Sequence, residues 1–121
     1  MKYLLLIYQN EQSWKSVSEP ERQQIYGEYR DLIGQLQSRG QFVTGSELQP
    51  ITTATSVRVR DGKELVTDGP FAETHEQLGG YFLIEAENLD EATSIAAQIP
   101  SAKTGTIEIR PLAEQAAEVS A

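Results

Sequence analysis

Two short runs, Leu4-Leu5-Leu6-Ile7 and Tyr81-Phe82-Leu83-Ile84, are apolar at every position. Side chains alternate across a strand, so a half-solvated strand alternates apolar with polar. A short run without alternation is a strand covered on both faces, and such strands lie in the middle of a sheet. Each large side chain is worth about 1.5–3 kcal/mol when buried. A chain built around two such strands must therefore cover both sides of one sheet. With 121 residues it is expected to do so as one domain, residues 1–111, followed by an alanine- and glutamate-rich tail, residues 112–121.

The first strand is predicted over Lys2 to Tyr8. Ser18-Glu19-Pro20-Glu21 then starts a helix, with Ser18 as cap and Pro20 in the first turn. Ile25, Tyr29, Leu32, Ile33 and Leu36 form its apolar stripe, and Gly40 ends it. Gln41 to Thr44 reads as a short strand, and Gly45 to Thr55 as a loop. Ser56 to Arg60 alternates, Asp61-Gly62 is a hairpin turn, and Lys63 to Thr67 returns. After the second doubly apolar strand, Asn88 caps a helix with the stripe Leu89, Ala92, Ile95, Ala96 and Ile99. Thr106 to Arg110 alternates and closes the domain, and no internal repeat is present.

The fold class predicted is α+β, a ferredoxin-like βαββαβ with an added edge β-hairpin. Right-handed crossovers place both helices on one face of the sheet and the doubly apolar strands at its centre. The helices cover one face only. The other exposes an apolar patch beyond what soluble monomers carry, so a homodimer packed sheet to sheet is expected.

Composition narrows the function classes. With no cysteine and one histidine, thiol catalysis, disulfides and a cysteine-ligated metal are excluded, and no metal or cofactor is expected. A formal net charge of −8 disfavours nucleic acid and anionic membrane surfaces as partners. The apolar start is too short to span a membrane. It runs directly into Gln9-Asn10-Glu11-Gln12 rather than a cleavage site, so the expected location is the cytoplasm.

One segment stands apart, Asp68-Gly69-Pro70-Phe71-Ala72-Glu73-Thr74-His75-Glu76-Gln77-Leu78-Gly79-Gly80-Tyr81. Asp68 suits an Asx-turn, Gly69 an unusual φ, Pro70 a fixed one, and Phe71 an apolar plug. Gly79-Gly80 permits close approach, by a neighbouring strand or by a ligand. Two readings stay open: a well-specified loop entering a central strand, or a pocket wall. In the second, Asp68 and His75 are the candidate catalytic groups. Gly69, Pro70, Phe71, Glu73, Gly80 and Tyr81 are then the candidate substrate-binding residues. His75 is the one side chain that titrates near neutrality, yet it also has the setting of an exposed loop residue. Arg58 and Arg60 share a hairpin face, where they bind an anion or deter edge pairing. Trp14, Tyr8, Tyr26 and Tyr29 are weaker candidates, as lid or cavity aromatics or as plain packing.

The Asp-Gly-Pro-Phe-Ala-Glu-Thr and Glu-Gln-Leu-Gly-Gly-Tyr strings strongly resemble the DGPF proteins of the YCII-related superfamily. The likeness extends to the Met1 to Tyr8 start, Val57 to Gly62, Leu65 to Tyr81 and Leu89-Asp90-Glu91-Ala92. The resemblance implies a dimeric α+β barrel, and bacterial members often encoded beside extracytoplasmic-function sigma factors. YCII-type relatives outside the DGPF branch carry a histidine–aspartate pair with its histidine on the first helix. Here that position falls on Glu28 or Tyr29, so the pair does not carry over whole, and Asp68 is the acid retained. Three functions follow: a cofactor-independent acid/base enzyme with a pocket near Asp68 to Tyr81, a non-catalytic ligand-binding or regulatory module tied to sigma factors, or a structural partner. The first two imply a small-molecule ligand.

Overall fold

The computed structural model describes residues 1–113. The rest of the expected tail lies outside them. Strand β1 (Lys2–Gln9) leads through a short helix α1 (Glu11–Lys15) to the long helix α2 (Glu19–Ser38) and strand β2 (Phe42–Glu47). The hairpin β3 (Thr55–Arg60) and β4 (Lys63–Asp68) follows a 3-10 turn at Ile51–Thr53. Strand β5 (Gln77–Glu85), helix α3 (Leu89–Gln98), a second 3-10 turn at Pro100–Lys103 and strand β6 (Thr106–Pro111) complete the described residues.

Strands β2, β5, β1 and β6 form one antiparallel sheet in that order. This is the ferredoxin-like βαββαβ arrangement, with the doubly apolar strands central as expected. Alternation sorts their side chains. Tyr3, Leu5, Ile7, Phe82 and Ile84 are buried with Leu32 and Leu36 of α2 and Ala92, Ile95 and Ala96 of α3. Leu4, Leu6, Tyr81 and Leu83, pointing the other way, are only half-buried. In the single chain the sheet is open, with β2 and β6 as its edges.

Local chemistry explains the boundaries. Ser18 Oγ accepts from Glu21 N–H at 3.3 Å and Asn88 Oδ1 from Glu91 N–H at 2.9 Å, so each long helix starts on a side-chain cap. Helix α2 ends with Gly40 at φ 69°, Gln41 N–H reaching Leu36 C=O at 2.8 Å and Gly40 N–H reaching Gln37 C=O at 3.0 Å. This is a Schellman close. The short α1 was not expected; Asn10 caps it, accepting from Ser13 N–H at 3.1 Å, and five residues are too few to show a helical period. Among the described residues no helix is long and apolar enough to cross a membrane.

Two expectations need correction. The hairpin is not an edge of the main sheet but a separate two-stranded sheet. Pro50, which has no N–H to donate, and the following 3-10 turn carry the chain off the sheet before β3 begins. Strand β2 also runs on through Gly45 and Ser46, which the sequence suggested were loop. A Cβ on Gly45 would lie 2.7 Å from Tyr81 C=O, and one on Gly80 2.8 Å from Ser46 C=O. Glycine is what lets these two strands approach, so the residue that weakens the strand signal is the one the pairing requires.

Candidate functional site

A cavity of about 200 Å³ opens between residues 25–33 of α2 and the sheet. Its helix wall is Ile25, Tyr26, Tyr29 and Ile33. Its sheet wall is Ile7, Phe82 and the backbone of Gly45, Gly79 and Gly80. Trp14 from α1 closes one side. The cavity exists because the sheet offers glycines there instead of side chains.

Trp14 is fixed from two directions. Its ring meets Tyr26 edge to face, 5.8 Å between centroids, and the Arg22 guanidinium carbon lies 4.9 Å from its own centroid. Arg22 also donates to Trp14 C=O at 3.0 Å. Helix α1 is clamped in turn by the segment before β5. Asn10 Nδ2 donates to His75 C=O at 3.3 Å, Glu11 N–H to Gln77 Oε1 at 2.9 Å, and Gln77 Nε2 to Thr74 C=O at 2.7 Å. The Glu11 carboxylate accepts from Ile51 N–H at 3.0 Å. The Thr74 to Gln77 stretch thus holds the element that carries Trp14.

Two polar groups sit within this apolar shell. At the floor, Tyr29 Oη lies 2.7 Å from Ser101 Oγ, which donates to Gln9 Oε1 at 3.1 Å. Ser101 is 7% exposed, the one buried polar residue among those described, and its hydroxyl is satisfied on both sides. At the mouth, Tyr26 Oη donates to the exposed Glu47 carboxylate at 3.1 and 3.3 Å. Burial pushes the Tyr29 phenol above its ordinary 10.0, and burial together with the Glu47 charge pushes Tyr26 the same way. Both phenols are therefore protonated donors at neutral pH. No lysine, arginine or histidine lines the cavity, and no group of acids and histidines among the described residues is placed to hold a metal ion.

The segment singled out in the sequence divides. Gly79 and Gly80 are in the cavity wall, and Tyr81 turns to the opposite, open face of the sheet. Asp68 ends β4, and Gly69, Pro70, Phe71, Glu73 and His75 follow in the connecting loop; none of these lines the cavity. Asp68 makes no Asx-turn: the turn is closed by backbone, Gly69 N–H to Ala54 C=O at 2.7 Å with Gly69 at φ 110°. Phe71 plugs nothing in the single chain, at 79% exposed. Of Glu28 and Tyr29, the two residues weighed at one first-helix position in the sequence, Tyr29 is inside the cavity and Glu28 is exposed. Tyr8 lies outside the lining, so of the three tyrosines considered two enter it. Gln9, Ser101 and Glu47 had no signal of their own: Gln9 and Glu47 are single polar residues at strand ends, and Ser101 lies in a short 3-10 turn.

The sheet order, the two helices on one face and the aromatic cavity beneath α2 define a ferredoxin-like α+β domain with a pocket on its helix side. The chain belongs to the YCII-related domain family, whose model matches residues 1–116. It is similar to an uncharacterised protein of Rhizobium meliloti (strain 1021), 36% identical over 115 residues, which is 93% of each chain.

Proposed function

We propose that this YCII-related protein binds a small molecule in the cavity between α2 and the sheet, as a homodimer in the cytoplasm. The observation that carries the reading is a buried hydrogen-bonded group, Gln9–Ser101–Tyr29, at the floor of an otherwise apolar, aromatic-walled cavity. Apolar pockets with a few convergent polar groups are what ligand sites look like. Catalysis is not required by this geometry. Among the described residues the ionisable groups in the lining are Tyr26, Tyr29 and, at the mouth, Glu47. Asp68 and His75 take part only if the loop moves or a second subunit brings them to the cavity.

Support for the dimer is the open face, where Leu4, Leu6, Tyr81 and Leu83 are half-buried on strands whose other face is sealed. A sheet-to-sheet pair should bury more than about 1,200 Å² in total. Light scattering is expected to give a dimer at micromolar concentration, and Leu6→Asp to dissociate or aggregate it; a stable wild-type monomer removes the dimer from the reading.

The ligand site is tested by a fragment screen on nitrogen-15-labelled protein. The single tryptophan gives one indole N–H signal, at Trp14, and this with the Gly79 and Gly80 amides reports the cavity. Hits should move those signals together. Hits that move Asp68, Gly69 and His75 instead place the ligand on the loop and overturn the cavity site.

A further inference from the structure

From the polarity of the cavity, and resting on its being the ligand site, we infer that its ligand class is a neutral single-ring aromatic carrying one hydrogen-bonding oxygen, such as a phenol or an aryl ketone. Size sets the first limit. An apolar cavity of about 150 Å³ takes a benzene ring, and this one, at about 200 Å³, has space for a ring with a small substituent. Shape sets the second. Tyr29 and Phe82 meet at 6.1 Å with their planes 77° apart, and Trp14 and Tyr26 at 5.8 Å and 77°. Two edge-to-face pairs around one space suit a further flat ring, whose faces and edges carry opposite partial charge.

Charge sets the third limit. Among the described residues no cationic side chain lines the cavity, and the one carboxylate that does, Glu47, stands at the mouth. An aryl carboxylate would leave water to meet neutral groups at the floor and a like charge at the entrance. A protonated aryl amine could reach Glu47, but in doing so it would leave its ring at the solvent end and the floor unused.

The floor is matched to a neutral oxygen. Ser101 has one proton and donates it to Gln9, so Tyr29 must donate to Ser101, and the Gln9 amide nitrogen has no hydrogen-bond partner among the described residues. That nitrogen is ready for a carbonyl or hydroxyl oxygen. Turning the amide over reverses the chain: Gln9 then donates to Ser101 and Ser101 to Tyr29, so that a ligand hydroxyl can donate to the Gln9 oxygen and accept the freed Tyr29 O–H. The same three residues therefore serve a ketone in one sense and a phenol in the other, without forming an ion.

The test is a matched panel of para-cresol, para-methylacetophenone, para-toluate, para-methylbenzylammonium and toluene, titrated at neutral pH against the full labelled chain. Affinity is read from the Trp14 indole and Gly80 amide signals. The cresol and the ketone are expected to bind at least about tenfold more tightly than toluene and than either charged analogue, the size of one well-made hydrogen bond. Toluate or benzylammonium binding in the cavity as tightly as the cresol overturns the ligand class and leaves the cavity standing. If none of the five moves the two signals, the cavity reading falls and the inference with it. Gln9→Leu should bring the cresol down to the affinity that toluene shows for the same variant. An unchanged cresol affinity in that variant overturns the floor as anchor. If the variant does not fold, the panel on the wild type decides.

Discussion

Helix α2 covers one sheet, yet the side it turns to that sheet has two halves that meet it differently. In one, Leu32 and Leu36 are buried, 5% and 0% exposed, against a floor that includes Leu5 and Ile84. In the other, Ile25, Tyr26, Tyr29 and Ile33 are only half-buried and stand over a cavity. The helix does not differ in kind between the halves; the sheet does. Large side chains fill the space under one half, while under the other Gly45, Gly79 and Gly80 interrupt them beside Ile7 and Phe82. Two of those glycines are required by the close approach of β2 to β5, as the Cβ distances show. The gap is thus a consequence of strand pairing, kept open by rigid aromatic walls, and a space of that kind is available to a ligand at no further cost in packing.

The largest effect expected from this contrast is in the sealed half. Leu36→Ala should cost about 2–5 kcal/mol, because a fully buried side chain is replaced by a void. Ile25→Ala, which only widens a space already present, should cost less than about 1 kcal/mol. Denaturant melts of the two variants measure the gap between them, and equal losses would mean that the halves are packed alike.

A smaller effect is expected with pH. Tyr29 is held above 10.0 in the folded protein by burial, while in the unfolded chain it ionises at about its ordinary value. Between those two points the folded state keeps a proton that the unfolded state has lost. Stability from this group is complete below pH 10 and declines as pH rises through 10 towards the folded value. Tyr29→Phe should flatten that decline in melts taken from pH 8 to 11, and an unaltered slope would show that Tyr29 is not buried in the cavity floor.

The smallest effect is expected outside both halves. Asp68 is exposed and the turn after it is closed by backbone, so Asp68→Ala should change stability by no more than about 0.5 kcal/mol. A thermal melt that drops by several degrees would give the side chain a structural partner that the single chain lacks, and would point to one supplied by a second subunit.

These contrasts also show what a reader of the sequence can and cannot see. The central strands were legible because Leu4 to Ile7 and Tyr81 to Ile84 break the alternation that a solvated face imposes. The caps Ser18 and Asn88 and the stop at Gly40 act within four residues, so local order gives them away. The cavity is a different matter. Its floor joins Gln9, Tyr29 and Ser101, from the end of the first strand, the middle of a helix and a 3-10 turn near the other end of the chain. No spacing records that meeting. The Asp68 to Tyr81 stretch was conspicuous for its turn residues. In the single chain its Thr74 to Gln77 part works at one remove, through the hydrogen bonds to Asn10 and Glu11 that set α1 and hence Trp14.

The space between residues 25–33 of α2 and the sheet is the proposed ligand site. The most direct measurement is a crystal structure of the protein soaked with the strongest hit from the fragment screen. Ring-shaped density is expected between Trp14 and Ser101, with a polar atom within hydrogen-bond distance of the Gln9 amide. Density lying against the Asp68 to His75 loop or on the open face of the sheet, with the cavity empty, would contradict it.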